Sequence, residues 1–244
     1  MKWETRSRLL IIVILLICFS LHVNGNNIPF RVGETLNYTA KFNFIPAGTA
    51  KLKVVSLDTI NNNPTFHIQY SARTGSIADK LFKIRDQVDS WVDKKGLFLY
   101  HQKKTIRQGN YKKKSNTKLF YSDSLAIVNK DSIPISGAVF DPYSLFYYLR
   151  TIPLIMGKTL NMNTFDNGLF TDFQLRVDKW ETLSCPAGTF KCLVINPFKD
   201  GKTLLKNEGD MTIWFSDDAR RIPVQILVKL KYGTMKLKLK SFSL

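Results

Sequence analysis

The stretch VKLKYGTMKLKLK, residues 228–240, alternates apolar and basic side chains with a period of two. In an extended chain this period places every leucine on one face and every lysine on the other, whereas a helix would scatter them around its circumference. The preceding stretch MTIWFSDDARRIPV, residues 211–224, adds an apolar run and a polar turn. We therefore predict strands joined by turns over residues 185–242, with Leu237 and Leu239 pointing into the core.

Similar alternating segments recur along most of the chain. They cover residues 36–44, 50–57, 65–73, 89–92, 97–107, 111–120, 125–129 and 169–177. The sequence therefore predicts an all-β fold, either one large curled antiparallel sheet or an open or closed barrel. Two segments break the pattern and are predicted to be short helices. One is Gly75–Val88, with Ser76 as N-cap, and the other is Asp141–Arg150, with Asp141 as N-cap and Pro142 at the first helical position.

The tetrapeptide Pro-Ala-Gly-Thr occurs twice, at residues 46–49 and 186–189, where we predict turns. Each copy is followed by a basic-apolar strand, a later strand containing a tryptophan, and a polar turn. An ordered recurrence of this kind is typical of an internal repeat, although a single turn tetrapeptide could recur by chance. We predict one domain over 26–244 built from two related halves, about 30–130 and 165–244.

Residues 1–25 have the pattern of a secretory signal peptide. A basic start precedes the apolar run 9–19, and Val23-Asn24-Gly25 fits a cleavage site. The run is shorter than the roughly 20 residues of a membrane span, although an uncleaved anchor stays open as an alternative. Cys18 would offer a site for lipidation, but Ile17 stands where a small residue is required. We predict a cleaved leader and an exported mature protein.

The mature chain keeps two cysteines, Cys185 and Cys192. In an oxidising compartment this pair is a candidate disulfide. A tight turn at Ala187-Gly188 would place Cys185 opposite Phe190, whereas a wider loop would place the two cysteines opposite each other. Both alternatives stay open.

The formal net charge is +17. Such a surface attracts polyanions, including nucleic acid, acidic glycans and anionic lipid headgroups. Export argues against nucleic acid, so we predict none as a partner, while peripheral contact with a membrane stays open. A high-pI protein that is merely soluble would have the same composition.

No motif of catalytic chemistry stands out in the mature sequence. His67 and His101 lie in strand-like segments, and nucleophile, Walker and dinucleotide motifs are absent. Asp217 and Asp218 are adjacent, and neighbours on a strand point to opposite faces, which does not suit the paired carboxylates of glycoside hydrolysis. We predict no metal, no other cofactor and no enzymatic activity.

Aromatic residues are the candidates for a ligand-binding wall. If the inner face of the sheet leaves space, Trp91, Tyr143, Tyr147 and Trp214 would contact an apolar ligand, and Arg150 its anionic head. Ordinary core packing is the alternative for each aromatic residue.

Taken together, the motifs resemble an exported envelope family, domain of unknown function 3108. The similarity lies in residues 32–38 (VGETLNY), 47–50, 141–150 with Pro153 and Gly157, 186–190, and 214–224 (WFSDDARRIPV). The resemblance implies a curved antiparallel β protein, similar in part to the half-barrels of lipoprotein carriers, in the periplasm or envelope of a Gram-negative bacterium. It implies no activity and no catalytic residues. Cys192 and the strongly basic strands depart from the family's usual pattern.

Three hypotheses for function follow, in order of preference. The first is a non-enzymatic envelope protein that binds or carries a lipid-like, anionic amphiphile. The second is a structural or interaction module with a filled core and an envelope protein as its partner. The third and weakest is an enzyme that acts on glycans.

Overall fold

In the computed structural model, which describes residues 28–199, 202–203 and 210–243, most residues belong to one antiparallel sheet. The strands are β1 Thr35–Phe42, β2 Ile45–Ile60, β3 Asn63–Thr74, β4 Arg85–Asp93, β5 Leu99–Gln108, β6 Tyr111–Phe120, β7 Leu125–Val128, β8 Asp131–Pro134, β9 Thr159–Asp166, β10 Leu169–Cys185, β11 Gly188–Lys199, β12 Lys202–Thr203, β13 Asp210–Ser216, β14 Pro223–Leu230 and β15 Gly233–Ser243. Two short helices accompany them, α1 Ser76–Asp79 and α2 Leu145–Thr151. The predicted all-β class with two short helices is confirmed.

The order of the strands brings the first and last strands together inside the sheet. The order is β8-β7-β6-β5-β4-β3-β2-β1-β15-β14-β13-β11-β10-β9, with β12 beside β11. β1 pairs with β15, so that Thr35 lies opposite Ser243. Among the described residues no ladder joins β8 to β9, so the sheet is open. A single parallel bridge from Phe140 to Thr164 connects the segment after β8 to β9.

The two Pro-Ala-Gly-Thr copies lie at different positions in their hairpins. The copy at 46–49 is inside β2, and the turn is the preceding pair Asn43-Phe44. The predicted turn at 46–49 is therefore wrong. Asn43, at φ 53°, adopts the left-handed backbone typical of a two-residue hairpin turn. The copy at 186–189 does contain the turn, at Pro186-Ala187, and continues into β11.

The first predicted helix is much shorter than its sequence pattern indicated. α1 ends at Asp79, and β4 begins at Arg85, which pairs with Arg73 of β3. The prediction of a helix as far as Val88 is therefore wrong, because strand pairing takes over the second half of the segment. The N-cap position is Gly75 and not Ser76.

The C-terminal stretch forms β13, β14 and β15, as its alternation predicts. Leu239 is fully buried, and Leu237 is half-buried between the two cores. The lysines follow the pattern less strictly, because Lys238 is half-buried and its Nζ donates to the Ser184 carbonyl at 3.1 Å. Lys104 in β5 faces inward and is 5% exposed.

The sheet buries two hydrophobic cores. The first lies on the inner face and contains residues of both halves, among them Leu36, Ile68 and Leu239. The second packs α2 against β10, β11 and β13. β11 and β13 contribute to both cores, because successive residues of a strand face opposite sides. The sequences of β11 and β13 therefore contain continuous apolar runs.

The predicted leader, residues 1–25, lies outside the described residues. No helix in the described part of the chain has the length and hydropathy of a membrane span.

Candidate functional site

The clearest ligand-sized space lies between α2 and the strands β10, β11 and β13. This cavity has a volume of about 260 Å³. Its wall is formed by Pro142, Leu145, Phe146, Leu149, Thr164, Phe173, Leu175, Pro197, Met211 and Ile213. Thr164 is the only side chain with a polar group in this described wall. The space is therefore suited to an apolar group.

The cavity exists because β11 and β13 are buried on both faces. Val194 and Trp214 turn towards the first core, while their chain neighbours Leu193 and Phe215 turn towards α2. Such a strand needs a second apolar layer over its outer face. α2 supplies that layer with Leu145 and Leu149, and the cavity is the space left between the helix and the strands.

Asp141 fixes the start of the segment that carries α2. Its carboxylate accepts hydrogen bonds from the backbone N–H groups of Tyr143 at 2.9 Å and Ser144 at 3.1 Å, and from the Ser144 hydroxyl. Burial raises the pKa of this carboxyl group, although its hydrogen bonds oppose the rise. Asp141 therefore caps the turn that precedes the helix. The regular helix itself begins later, at Leu145, with Ser144 at the N-cap position.

A more polar groove adjoins the cavity, with a volume of about 560 Å³. Phe173 belongs to the walls of both spaces. The other residues that line the groove are Ala138, Phe140, Tyr148, Asn161, Met162, Asn163, Asp172, Gln174 and Lys199. An apolar group in the cavity would therefore have amide groups and one ammonium group nearby.

Arg150, predicted to hold an anionic head, lies in a buried ion pair. Its Nη1 and Nη2 atoms contact the two carboxylate oxygens of Glu34 at 2.6 and 2.8 Å, and the two side chains are 1% and 0% exposed. The guanidinium also donates to the carbonyls of Arg220 and Pro29, both at 2.9 Å. The prediction of a ligand contact is corrected, because Glu34 already supplies the counter-charge and the guanidinium is enclosed.

Tyr147 and Trp214, two further predicted ligand contacts, pack in the first core. Tyr147 contacts Phe30 edge-on, with ring centroids 4.8 Å apart, and burial raises the pKa of its phenol. The indole N–H of Trp214 donates to the Glu181 carboxylate at 3.2 Å. The core-packing alternative accounts for both residues, and neither lines the cavity beneath α2.

Trp91 lies on the face of the sheet that points away from the first core, because its chain neighbour Val92 packs in that core. Its ring stacks between His67 and His101, with centroids 4.4 and 4.7 Å away. Its indole N–H donates to Asp58 at 2.7 Å, and the His67 ring contacts Asp89 at 2.9 Å. Trp91 is therefore far from an inner ligand wall. Among the predicted contacts, it and Trp214 face opposite sides of the sheet.

Tyr143 borders a small polar cavity of about 220 Å³ on the inner face. The Lys104 ammonium group pairs with Asp166 there and lies 5.6 Å from the Tyr143 ring centroid. Burial, followed by the nearby Asp166 charge, raises the pKa of the Tyr143 phenol. This predicted contact is thus separate from Tyr147, Trp214 and Arg150, so the five predicted residues do not form one site.

Cys185 and Cys192 are both free thiols. The hairpin register places Cys185 opposite Gly188 and Cys192 opposite Glu181. Of the two alternatives that the sequence left open, the structure has the tight turn, at Pro186-Ala187, which keeps the two cysteines out of register. Burial raises the pKa of the Cys192 thiol to about 12.

The adjacent carboxylates Asp217 and Asp218 each have a cationic partner. Asp217 contacts Lys191 at 3.0 Å, and Asp218 contacts Arg220 at 2.6 Å. Burial alone would raise the pKa of Asp218, but hydrogen bonds from Arg220 and Ser216 lower it overall. The pair lies in the connection between β13 and β14, where the sequence predicts a polar turn. Among the described residues, no three His, Cys, Asp or Glu side chains group as metal ligands.

The cavity-lining residues were missed by the sequence reasoning. That reasoning identified the helical segment Asp141–Arg150. It did not show that the facing strands are buried on both sides. The continuous apolar runs Leu193–Ile195 and Ile213–Phe215 carried that signal, because a strand with one wet face would alternate.

Comparison with known proteins gives similarity in fold and a family. The chain is similar to a beta-barrel-like protein of domain of unknown function DUF1849 from Brucella abortus, with 13% identity, a TM-score of 0.53, and coverage of 87% of this chain and 98% of the other. This similarity supports the barrel-like fold.

Two more distant solved structures also align with the chain. They are a candidate lipoprotein from Parabacteroides distasonis, at 11% identity and a TM-score of 0.40, covering 87% of this chain and 96% of that one, and the hypothetical protein CT021 from Chlamydia trachomatis, at 11% identity and a TM-score of 0.39, covering 87% of each chain. No curated protein matches. The family model of Protein of unknown function (DUF3108) matches residues 37–240, and the chain therefore belongs to that family, as its motifs predict.

Proposed function

We propose that this protein is a non-enzymatic, exported envelope protein that holds the apolar part of an amphiphile in the cavity beneath α2. The observation that carries the proposal is this apolar space of about 260 Å³. Sites for small apolar ligands are concave, mostly apolar and few per protein. Because typical pockets measure roughly 300–1,000 Å³, a single acyl chain suits this one better than a lipid with several chains.

The polar part of the amphiphile would lie in the adjoining groove. Asn161, Asn163 and Gln174 offer amide groups there, and Lys199 offers a positive charge. Asp172 lies in the same groove and would accept a hydrogen bond from a hydroxyl or amide group of the head, beside an anionic group held by Lys199.

The test compares two Leu-to-Phe variants in the second core. Leu145 lines the cavity, whereas Leu154 belongs to the same core but not to the cavity wall. Leu145→Phe fills part of the space and is expected to weaken binding of dodecanoate about tenfold or more, since a methylene is worth about 0.8 kcal/mol. Leu154→Phe is the matched control and is expected to bind like the wild type. Calorimetric titration measures binding, and native mass spectrometry of protein from its own envelope detects a co-purified adduct.

Equal dodecanoate binding by wild type and Leu145→Phe, with both folded by circular dichroism, would show that the cavity is not the binding site. A protein that shows neither an adduct nor any dodecanoate binding would contradict the proposal as a whole.

A second candidate function is an interaction module of an envelope assembly. The filled first core favours it, since Tyr38 and Tyr147 occupy the inner face with 2% and 1% exposure. β8 and β9 are the two edge strands of the sheet, and an edge strand can pair with a strand from a partner. Co-purification of a stoichiometric envelope protein, lost when a proline replaces a residue of β9, would support this alternative.

A further inference from the structure

Several turns at the same end of the strands form a continuous rim. The β14–β15 turn contacts the β1–β2 turn, because Asn43 N–H donates to the Thr234 carbonyl at 2.7 Å and Thr234 N–H donates to Asn43 Oδ1 at 2.9 Å. The Gly75 N–H, just before α1, donates to the Ala47 carbonyl at 3.0 Å. The Gly109 N–H in the β5–β6 turn donates to the Lys83 carbonyl at 2.8 Å. We call residues 41–46, 75–84, 107–112 and 229–236 the basic rim.

Large apolar side chains protrude from the basic rim into water. Phe44 is 93% exposed, Leu81 89% and Tyr232 82%. Ile45, Ile77 and Phe82 lie beside them and are also mostly exposed. Clustered apolar side chains at turn tips are costly in water unless another apolar phase covers them. Of the fourteen large apolar side chains that are exposed in the described residues, eight lie in the rim, and this concentration indicates a binding surface.

Positive charge surrounds these apolar tips. The basic residues of the rim are Lys41, Lys80, Lys83, Arg107, Lys112, Lys229, Lys231 and Lys236. In the same ranges Asp79 is the only carboxylate, and Arg85 contacts it at 2.5 Å. The Lys231 ammonium group lies 5.3 Å from the Tyr232 ring centroid, so charge and aromatic ring stand side by side at one tip. The rim thus presents ammonium groups around a set of apolar tips.

We propose that the basic rim docks this protein on a bilayer that contains anionic lipid. Exposed aromatic and aliphatic tips insert at the level of the headgroups, and flanking lysines contact lipid phosphates. A protein partner would need its own acidic surface around an apolar patch, whereas an anionic bilayer offers both features everywhere. The inference goes beyond the proposed cavity ligand and does not depend on it.

The test measures binding of the exported, processed protein to vesicles. One set contains phosphatidylethanolamine and phosphatidylglycerol, and the other contains phosphatidylcholine alone. The triple variant Phe44→Ser, Leu81→Ser, Tyr232→Ser is expected to lose binding to the anionic vesicles by about tenfold or more. Leu57→Ser is the matched control, since Leu57 is also exposed but lies towards the other end of β2. Added salt is expected to weaken binding of the wild type, because it screens the lysines.

Insertion has a second readout. Phe44→Trp is expected to shift its emission to the blue on anionic vesicles and to be quenched by brominated lipid, after subtraction of the wild-type signal. Leu57→Trp is expected to do neither. The proposal is overturned if wild type ignores anionic vesicles, if the folded triple variant binds as well as wild type, or if Phe44→Trp is not quenched. Capture of a soluble acidic protein in place of vesicles would also overturn it.

Discussion

The buried ion pair between Glu34 and Arg150 connects distant parts of the chain. Glu34 precedes β1 and Arg150 belongs to α2, 116 residues later. The same guanidinium donates to carbonyls in two further segments, at Pro29 and Arg220. Sequence reasoning treated Arg150 as a ligand contact because an arginine beside aromatic residues gives no sign of a partner so far away in the chain.

Removing one member of this pair is expected to be costly. Arg150→Met leaves the Glu34 carboxylate buried without a counter-charge, so we expect the free energy of unfolding to fall by about 3–5 kcal/mol. The double variant Glu34→Leu, Arg150→Met should recover part of that loss. Lys191→Met, at the exposed pair with Asp217, serves as control and should cost less than about 1 kcal/mol. Urea denaturation measures all three, and a double variant less stable than Arg150→Met would contradict the assignment.

Asp141 predicts a dependence of stability on pH. Burial raises its pKa in the folded protein, so the folded state binds this proton more tightly than the unfolded state does. Its contribution to stability is therefore greatest below the ordinary pKa of about 3.9 and is lost as the pH rises through the folded pKa. Wild type should lose stability relative to Asp141→Asn as the pH is raised from about 4. A difference that is constant or grows in favour of wild type would refute this role.

The two thiols should differ in reactivity. Cys192 is fully buried, and its pKa is raised by burial to about 12, whereas Cys185 is half-buried. Because the thiolate is the reactive form, iodoacetamide at neutral pH should label Cys185 and leave Cys192 unlabelled until urea unfolds the chain. Peptide mass spectrometry reads both sites, and a Cys185–Cys192 disulfide in the purified protein would contradict the observed register.

At the scale of single elements, alternation predicted the strands well and their turns less well. The strands at 36–44 and 65–73 match β1 and β3 closely, because one wet and one buried face leave a period of two in the sequence. The turn before β2 was misplaced, since Pro-Ala-Gly-Thr is typical of turns and Asn43-Phe44 is not. Tertiary pairing with β1 and β3 extends β2 through that tetrapeptide.

Gly48 shows why the tetrapeptide tolerates no larger residue there. A Cβ atom at Gly48 would stand 2.1 Å from the Arg73 carbonyl oxygen of β3. Gly48→Ala should therefore lower the free energy of unfolding by about 1–3 kcal/mol, the usual cost of overpacking. Gly75→Ala is the control, since a Cβ there meets nothing within 4 Å, and it should cost less than about 1 kcal/mol. Thermal or urea unfolding that ranks the two variants equally would show that β2 and β3 separate easily.

At the scale of the whole molecule, the pairing of β1 with β15 makes the two halves depend on each other. Repeated motifs in the sequence indicated two halves of one domain, but they did not show where the halves meet. They meet at the first and last strands, and the first core contains Leu36 from one half and Trp214 and Leu239 from the other. We therefore expect that neither half buries its apolar residues without the other.

Cutting the chain between the halves tests this dependence. Residues 136–138 are exposed, and a Cβ atom added at Gly137, where φ is 70°, would meet nothing within 4 Å, so a protease site fits there. We expect the cleaved chain to elute at the volume of the intact protein, because the β1–β15 ladder and the shared core hold the pieces together. Each piece expressed alone should lack a cooperative thermal transition, since it would expose one side of that core and a new sheet edge. The uncleaved chain with the inserted site is the control, and a cooperative transition from either piece alone would show two independent domains in place of one interdependent sheet.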